Sequence, residues 1–467
     1  MVSFSNLDIA ILIGFFLLIV LIGFLPRRKN LKDADGYLLS GRRVGFFLFI
    51  LTNVATWYGG ILGVGEFTYR YGILSWFTQG LPYYIFALLF AIFFAGKIQN
   101  SSLFTIPDKL EETYGKKVGA ISAVIIFLLV SPAPYLLMIG LLLQMIFGLD
   151  LLTALSVGIL FSVLYLFRGG YRANIYTDAI QFFVMFIGFF IIVVIAIVSY
   201  GGVDFLENQL PAQHFTVTGN ASPTFIIVWF LIALWTFADP GFHQRCYSAK
   251  TPKIAKYGII ISIFFWALFD FLTTATGLYS RALLPQLDNP VLSFPMLAEK
   301  ILGSGFKGIF YAALIATILS TLNSFLFLSA TTFGRDFIAK FKNDNKEDNL
   351  INYTRIGLIV SAIISILLAY LFTSVIELWY TIGSVLIPGL LFLIFGAYFP
   401  RFRISSKYAV IETVCAVSAS IIWMLVRPLF SHNTFTAEVE PMIIGMIVAV
   451  SIHLYAVKKN QMKLTKI

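Results

Sequence analysis

Long apolar runs alternate with short polar stretches along the whole chain. A helix of about 20 apolar residues crosses the hydrocarbon core of a bilayer. The pattern predicts about thirteen such spans, at roughly 7–25, 44–69, 76–96, 118–147, 150–167, 174–200, 223–244, 254–279, 307–334, 352–372, 375–399, 407–427 and 439–457. The chain is therefore predicted to be an all-α polytopic membrane protein.

Two of these spans, the second and the seventh, contain residues that interrupt a helix. Span 2 carries TNVAT at 52–56 and then four glycines between positions 59 and 65, and span 7 carries TFADPG at 236–241. An interrupted helix leaves backbone groups unpaired, and membranes tolerate this only where those groups line a cavity or bind something. Interrupted spans at matching places in two halves indicate the binding site of a transporter.

The two interrupted spans are separated by an offset of five. Because five is odd, the second copy crosses the membrane in the opposite direction, which predicts an inverted repeat. Repeat one would cover about 44–200 and repeat two about 223–400, with peripheral helices at about 7–25, 407–427 and 439–457. Residues 1–467 would then form a single transporter domain.

Composition agrees with this interpretation and excludes a soluble protein. Hydrophobic residues make up 59% of the chain and charged residues 12%, whereas soluble domains carry about 25% charged residues. The net charge of +10 is unevenly distributed, since 28 of the 33 lysines and arginines lie on one predicted side. The positive-inside rule makes that side cytoplasmic, with the N-terminus outside and the C-terminus inside a plasma or inner membrane. The basic excess is thus a topology signal, and no nucleic-acid partner is expected.

No residue pattern indicates an enzyme. The four histidines, at 214, 243, 432 and 453, lack the spacing of metal ligands. Cys246 and Cys415 both lie toward the predicted inner side, so no disulfide is expected. A Gly-x-Ser-x-Gly nucleophile is also absent from the sequence.

Span 9 carries three hydroxyl side chains on one helical turn. Thr317, Ser320 and Thr321 are spaced i, i+3 and i+4 and so share a face. A small hard cation binds several oxygen ligands, which hydroxyls and free carbonyls supply. The carbonyls would come from unwound backbone in span 2, near Leu51 and Val54. Alternatively, these small residues ease helix packing or bond back to the preceding turn.

Asp178 and Asp270 are two acids of the predicted spans that could carry function, because ionisable groups within a membrane span usually face the bundle interior. Asp178 lies near the start of span 6 and either faces that interior or pairs with Arg172 at the inner interface. Asp270 lies deeper, in span 8, and either serves function or accepts a structural hydrogen bond. Both acids keep open a proton-coupled carrier as an alternative.

Several motifs, taken in order and spacing, resemble the sodium/solute symporter family of galactose, proline, pantothenate and sialate carriers. The similarity runs from about residue 35 to 400 and rests on YLLSGR at 37–42, TIPD at 105–108, GG at 169–170 with TDAIQ at 177–181, QR at 244–245, and ILSTLNS at 318–324 with RD at 335–336. The resemblance implies a leucine-transporter-like fold with two inverted five-helix repeats.

The resemblance also implies a sodium site. Its ligands would be the carbonyls of Leu51, Val54 and Thr317 and the hydroxyls of Ser320 and Thr321. Some family members bind a second sodium between an acid that matches Asp178 and the three hydroxyls of span 9. The resemblance therefore implies one or two Na⁺ ions.

The implied substrate residues differ from those of the galactose carrier. Its sugar-binding acid, amide and lysine correspond here to Gly80, Ile232 and Trp266, so a galactose-type site is not expected. The implied pocket, with Trp235 at the inner-gate position, consists of Asn53, Thr56, Gln79, Tyr83, Gln144, Trp235 and Tyr380. Such a set suits a small polar solute.

These observations predict a secondary active transporter that carries a small polar organic solute into the cell with sodium, by alternating access. Its partners would be the solute, sodium ions and the lipid bilayer. Besides the proton-coupled carrier, the same fold could serve as a solute sensor or an uncoupled channel.

Overall fold

A computed structural model describes residues 3–25, 33–344, 346–372, 375–430, 436 and 439–464; the side chains of 375–380 and 461–464, and with them that of Tyr380, lie outside the described part. The helices up to residue 209 are α1 (Asn6–Phe24), α2 (Ala34–Leu39), α3 (Phe46–Ala55), α4 (Ile61–Tyr71), α5 (Leu74–Gln79), α6 (Leu81–Phe90), α7 (Gly96–Asn100), α8 (Ile106–Tyr114), α9 (Lys116–Leu129), α10 (Ala133–Phe147), α11 (Leu151–Tyr200) and α12 (Val203–Gln209). Those that follow are α13 (Pro223–Ile232), α14 (Trp235–Ala238), α15 (Pro240–Ser248), α16 (Pro252–Leu283), α17 (Ser293–Ile301), α18 (Phe306–Thr331), α19 (Lys340–Lys342), α20 (Glu347–Leu371), α21 (Val375–Leu386), α22 (Leu391–Tyr398), α23 (Ser406–Val426) and α24 (Pro441–Leu464).

The described part contains ten helices that are long and apolar enough to cross a membrane, or eleven if one bent pair counts as a span. The predicted number of thirteen is therefore not confirmed. Two differences account for most of the gap. Predicted spans 5 and 6 run together in the 50 residues of α11, and predicted span 2 is divided into two helices of 10 and 11 residues.

A single glycine interrupts α11. Gly170 has φ 56° and ψ −149°, a backbone conformation that side chains with a Cβ rarely adopt. A Cβ at this position would also lie 2.5 Å from the carbonyl oxygen of Tyr37. The chain therefore bends at Gly170, where it packs closely against Tyr37 of α2.

The helix α18 forms the centre of the bundle. Almost all of its residues are buried, and apolar residues lie on all sides of the helix. The hydroxyl groups that it carries are buried as well. It packs against α11, α1, α10 and α20. A helix that is apolar all round is expected at such a central position.

The predicted breaks in spans 2 and 7 are confirmed. The first separates α3 from α4 between Ala55 and Ile61, and Gly59 lies so close to α18 that a Cβ there would be 2.3 Å from Thr321. The second separates α13, α14 and α15. Asp239 caps α15 by accepting a hydrogen bond from the N–H of Phe242 at 2.9 Å, and Pro240 occupies the first position of that helix.

Candidate sodium and solute site

Asp178 is fully buried on α11 and lies among hydroxyl and amide groups. Thr52 Oγ1 donates to Asp178 Oδ2 at 2.5 Å, and Asn174 Nδ2 donates to the same oxygen at 3.2 Å. Ser320 Oγ donates to Asp178 Oδ1 at 2.7 Å. We call this group the central polar network; its members are Thr52, Thr56, Asn174, Asp178, Arg245, Ser320 and Ser324. The network joins the end of α3 to α11, α15 and α18.

The three predicted hydroxyls of α18 have different partners. Ser320 contacts Asp178, as described above. Thr321 Oγ1 donates at 2.7 Å to the carbonyl oxygen of Thr56, which lies at the start of the first break. Thr317 Oγ1 instead donates at 2.7 Å to the carbonyl of Ala313 in its own helix. The structure thus brings two of the three hydroxyls to the broken helix or to the buried acid.

The two carbonyls named for the sodium site lie on α3. Leu51 is inside that helix and half-buried, while Val54 is buried near its end. The carbonyl of Val54 accepts a hydrogen bond from the N–H of Trp57 at 3.2 Å. Both therefore lie within one turn or so of the break that Thr321 contacts.

A buried guanidinium belongs to the central polar network. Arg245 lies on α15, directly after the second break, and is 3% exposed. Its Nη2 donates to Thr56 Oγ1 at 2.5 Å and to Ser324 Oγ at 3.4 Å, and its Nη1 donates to the Gly241 carbonyl at 3.0 Å. The proposed alternative partner of Asp178, Arg172, points elsewhere, since its Nη2 lies 3.5 Å from the hydroxyl of Tyr176.

A cavity of about 250 Å³ lies between the two helix breaks. Residues of the first break, including Thr56 and Gly60, form one wall, and Trp235 and Asp239 of the second break form another. Further walls come from α5, α6, α10, α13 and α16. Because Thr56 belongs to both the cavity and the central polar network, the two sites are adjacent.

The cavity collects some of the predicted substrate residues and not others. Thr56, Gln79, Tyr83 and Trp235 line it. Asn53 is buried near the network, and its Nδ2 has no hydrogen-bond partner among the described residues. Gln144 is half-buried near the end of α10 and is not among the lining residues.

The sequence profile of the sodium:solute symporter family matches residues 37–406. This chain belongs to that family. The family consists of transporters, so the expectation that the protein is not an enzyme is confirmed.

Relatives with several different solutes in their names resemble this symporter at similar levels. It is 25% identical to high-affinity choline transporter 1 of Caenorhabditis elegans, over 85% of this chain and 74% of that protein. It is 25% identical to the sodium/glucose cotransporter of Vibrio parahaemolyticus, over 88% and 84%, and 23% identical to sodium/proline symporter 2 of Staphylococcus saprophyticus, over 90% and 87%.

Solved structures confirm the fold of this family member. A Na⁺-coupled sialic acid symporter in its substrate-bound, outward-open state superposes with a TM-score of 0.81, at 17% identity and 98% coverage of both chains. A nucleobase-cation-symport-1 family transporter in a closed conformation gives a TM-score of 0.60, at 14% identity, over 90% of this chain and 94% of that one. The symporter therefore has the predicted leucine-transporter-like fold.

Two family motifs meet at a second group of charges, away from the cavity. Arg335 forms ion pairs with Asp108 and, at 3.2 Å, with Asp336; Lys340 pairs with Asp108 at 3.1 Å and with Glu111 at 2.7 Å. We call these five residues the peripheral charge cluster. Burial raises the pKa of Asp108, but the adjacent Arg335 and Lys340 lower it by more, so that pKa lies below its ordinary value.

Sequence reasoning gave no role to four members of the central polar network. Thr52, Arg245 and Ser324 lie within the quoted segments TNVAT, QR and ILSTLNS, and Asn174 lies three residues before TDAIQ. One local signal was available, because Asn174 precedes Asp178 by four residues and so shares its helix face. The contacts of Arg245 are long-range and carry no comparable signal.

Proposed function

We propose that this symporter couples the inward movement of Na⁺ to the uptake of a small organic solute by alternating access. The observation that carries the proposal is the central polar network. It combines a buried carboxylate with hydroxyl groups of two helices, beside a helix break and a cavity. Oxygen ligands of this kind suit a small hard cation.

The net charge of the buried side chains in and near the central polar network favours the binding of a monovalent cation. Asp178 and Asp239 are both buried, and Arg245 is the one guanidinium beside them among the described residues. If both acids are ionised, this group carries one excess negative charge. Burying an uncompensated charge is costly, and a bound Na⁺ would neutralise it.

The proposed main site uses the carbonyls of Leu51, Val54 and Thr317 with the hydroxyls of Ser320 and Thr321. The contact between Thr321 and the carbonyl of Thr56 supports this set, since it brings the hydroxyls of α18 to the backbone that follows Val54. A second ion beside Asp178 is supported by its contact with Ser320. To bind sodium, the hydroxyls of Ser320 and Thr321 would rotate, keep their protons and offer a lone pair to the ion.

The cavity is the proposed solute site. Thr56 is shared with the central polar network, which would let the bound ion and the solute stabilise the same conformation. Gln79, Tyr83 and Trp235 are its proposed polar and aromatic contacts, while Asn53, Gln144 and Tyr380 stay proposals from the family resemblance. One Na⁺ moving through about 100 mV releases about 2.3 kcal/mol, enough for roughly 50-fold accumulation.

The proposed location is the plasma or inner membrane, with the N-terminus outside and the C-terminus in the cytoplasm. The distribution of lysine and arginine supports this orientation. The peripheral charge cluster would then face the cytoplasm. Repeat one (about 44–200) and repeat two (about 223–400) would be the parts that move against each other.

Sodium titration of solute uptake into proteoliposomes tests the proposal. The double variant Ser320→Ala with Thr321→Ala should raise the sodium concentration for half-maximal uptake by about tenfold or more, because each lost ligand oxygen costs on the order of 1 kcal/mol. Ser329→Ala is the matched control, because this buried hydroxyl of the same helix contacts Ser361 at 2.9 Å. An unchanged sodium dependence in a folded double variant would contradict the proposed site.

A further inference from the structure

The cavity has an unusual concentration of indole rings. Four of the seven tryptophans of the chain line it, namely Trp57, Trp76, Trp229 and Trp235. Trp57 contacts Tyr83 with ring centroids 5.0 Å apart at 73°, and it packs against Trp266 with centroids 4.9 Å apart at 31°. Tryptophan is the residue whose ring face attracts cations most strongly. Such walls favour a solute with a positively charged, weakly hydrated group.

The charges of the cavity have one sign. Its described lining contains two carboxylates, Asp239 and Asp270, and no lysine, arginine or histidine. A carboxylic or phosphorylated solute would meet these acids without a compensating cation. The lining therefore disfavours anions, whatever the size of the solute.

The two acids differ in how far the protein satisfies them. Asp239 caps α15 with one oxygen and accepts the indole N–H of Trp235 at 2.8 Å with the other. Asp270 is half-buried on α16 and accepts a hydrogen bond from the hydroxyl of Tyr84. No ion pair involves Asp270 among the residues that the structure describes. Asp239 is in no ion pair among these residues either, but it already accepts two hydrogen bonds, so Asp270 is the acid better placed to supply a counter-charge to a ligand.

We propose that the solute of this symporter is a small organic cation, an ammonium compound held between the tryptophan rings and Asp270. This inference deepens the proposed function and rests on it. The rings would contact the apolar substituents of the ammonium group, and Asp270 would supply the counter-charge. Thr273, Thr274 and Gln79, which also line the cavity, remain for hydroxyl or carbonyl groups of the same molecule.

Binding of matched charged and uncharged probes tests this directly. Titration calorimetry on the full chain in lipid nanodiscs, at saturating Na⁺, would use choline and tetramethylammonium beside their water-soluble neutral isosteres, 3,3-dimethylbutan-1-ol and tert-butanol. At least one cation should bind on the order of 30-fold more tightly than its isostere. The inference is overturned if neither cation exceeds its isostere, or if proline or galactose binds more tightly than both.

Variants assign the preference to Asp270. Asp270→Asn should remove most of the cation preference and leave the part that the tryptophan rings supply, whereas Asp270→Glu should keep the full preference. Asp288→Asn removes a carboxylate from an exposed loop and is the matched control. Sodium affinity without solute, measured on every variant, shows whether the ion site is intact. An undiminished cation preference in a sodium-binding Asp270→Asn variant would overturn the assignment. Uptake driven by a proton gradient would return Asp270 to proton coupling.

The two proposals fail in distinguishable ways. If the proposed function is wrong, sodium will not affect the binding or uptake of any probe, whether charged or neutral. If only the solute class is wrong, a neutral probe will show sodium-dependent binding. Trp57→Phe and Trp57→Leu test the contribution of the ring separately. The affinity for the cation should be kept with the phenyl ring of Trp57→Phe and should fall about tenfold in Trp57→Leu, which has no ring.

Discussion

The central polar network and the peripheral charge cluster both hold buried acids, but they satisfy them in different ways. Asp178 in the centre accepts hydrogen bonds from uncharged Thr52, Asn174 and Ser320. Asp108 at the periphery pairs directly with Arg335 and Lys340. A hydroxyl can turn its proton away and offer a lone pair to a cation, whereas a lysine or arginine offers only protons. The centre is therefore suited to an exchangeable ion, and the periphery to a fixed contact.

The periphery also connects distant segments of the chain. The carboxylate of Asp108 and the guanidinium of Arg335 come from positions 227 residues apart, and Arg335 also stacks on Phe104 at 4.5 Å. Lys340 and Glu111 are more exposed than Asp108, at 29% and 27% of their side-chain surface. Because this cluster supplies its own counter-charges, we expect it to stabilise the fold and to bind no sodium.

The largest expected effect is that of Asp178→Asn on sodium. Removing the buried charge should weaken sodium binding by about 100-fold, since breaking a buried pair costs on the order of 3 kcal/mol. If Asp178 holds a second ion, the Hill coefficient for sodium should fall toward one. Uptake as a function of sodium concentration measures both quantities. The exposed Asp204→Asn is the control, and equal sodium responses in the two variants would remove Asp178 from the ion site.

The next largest effect is that of Arg335→Gln on stability. Leaving Asp108 and Asp336 without this partner should cost about 2–3 kcal/mol and lower the melting temperature in detergent by several degrees. Adding Asp108→Asn should recover part of that loss, because the two residues are directly coupled. Arg43→Gln, on an exposed side chain, is the control. A variant that melts normally but loses sodium affinity would break the distinction between the two regions.

Acid should affect the periphery through Asp108. Its pKa is lower in the folded protein than the ordinary 3.8, so its ionised form stabilises the fold above that value. This stabilisation begins to fade as pH falls below about 4 and is lost as pH passes the folded pKa. Melting temperatures recorded downward from about pH 6 should therefore fall less steeply in Asp108→Asn than in the wild type. Parallel curves would contradict this role for Asp108.

The smallest expected effect is that of salt on Lys340. Raising potassium chloride from about 0.1 M to 1 M shortens the Debye length from about 10 Å to about 3 Å. The partly exposed pair of Lys340 and Glu111 should lose less than about 1 kcal/mol, so Lys340→Gln should destabilise the protein slightly less at high salt. Melting curves at both concentrations measure this. A large salt effect on Lys340 would mean that the cluster is more open to water than its burial indicates.

Local sequence signals were enough to predict the class of the molecule, its two helix breaks and the hydroxyl-bearing turn of α18. Hydropathy and residues such as Pro240 act locally, because a helix in a bilayer must satisfy its backbone within its own segment. The spacing of Ser320 and Thr321 from Thr317 likewise predicted one helix face before any neighbour was known. The number of spans was less well determined, since a glycine such as Gly170 redirects a helix without interrupting its apolar run.

The contacts between buried charges, in contrast, depend on how distant segments pack. Arg245 follows a helix break and has the sequence context of a loop cation, yet it is buried against Thr56 and Ser324 from two other helices. Asp270 and the four cavity tryptophans come from several helices that no local pattern relates. The free energy of a buried charge depends on its partners across the bundle, and those partners are set by packing between segments far apart in the chain.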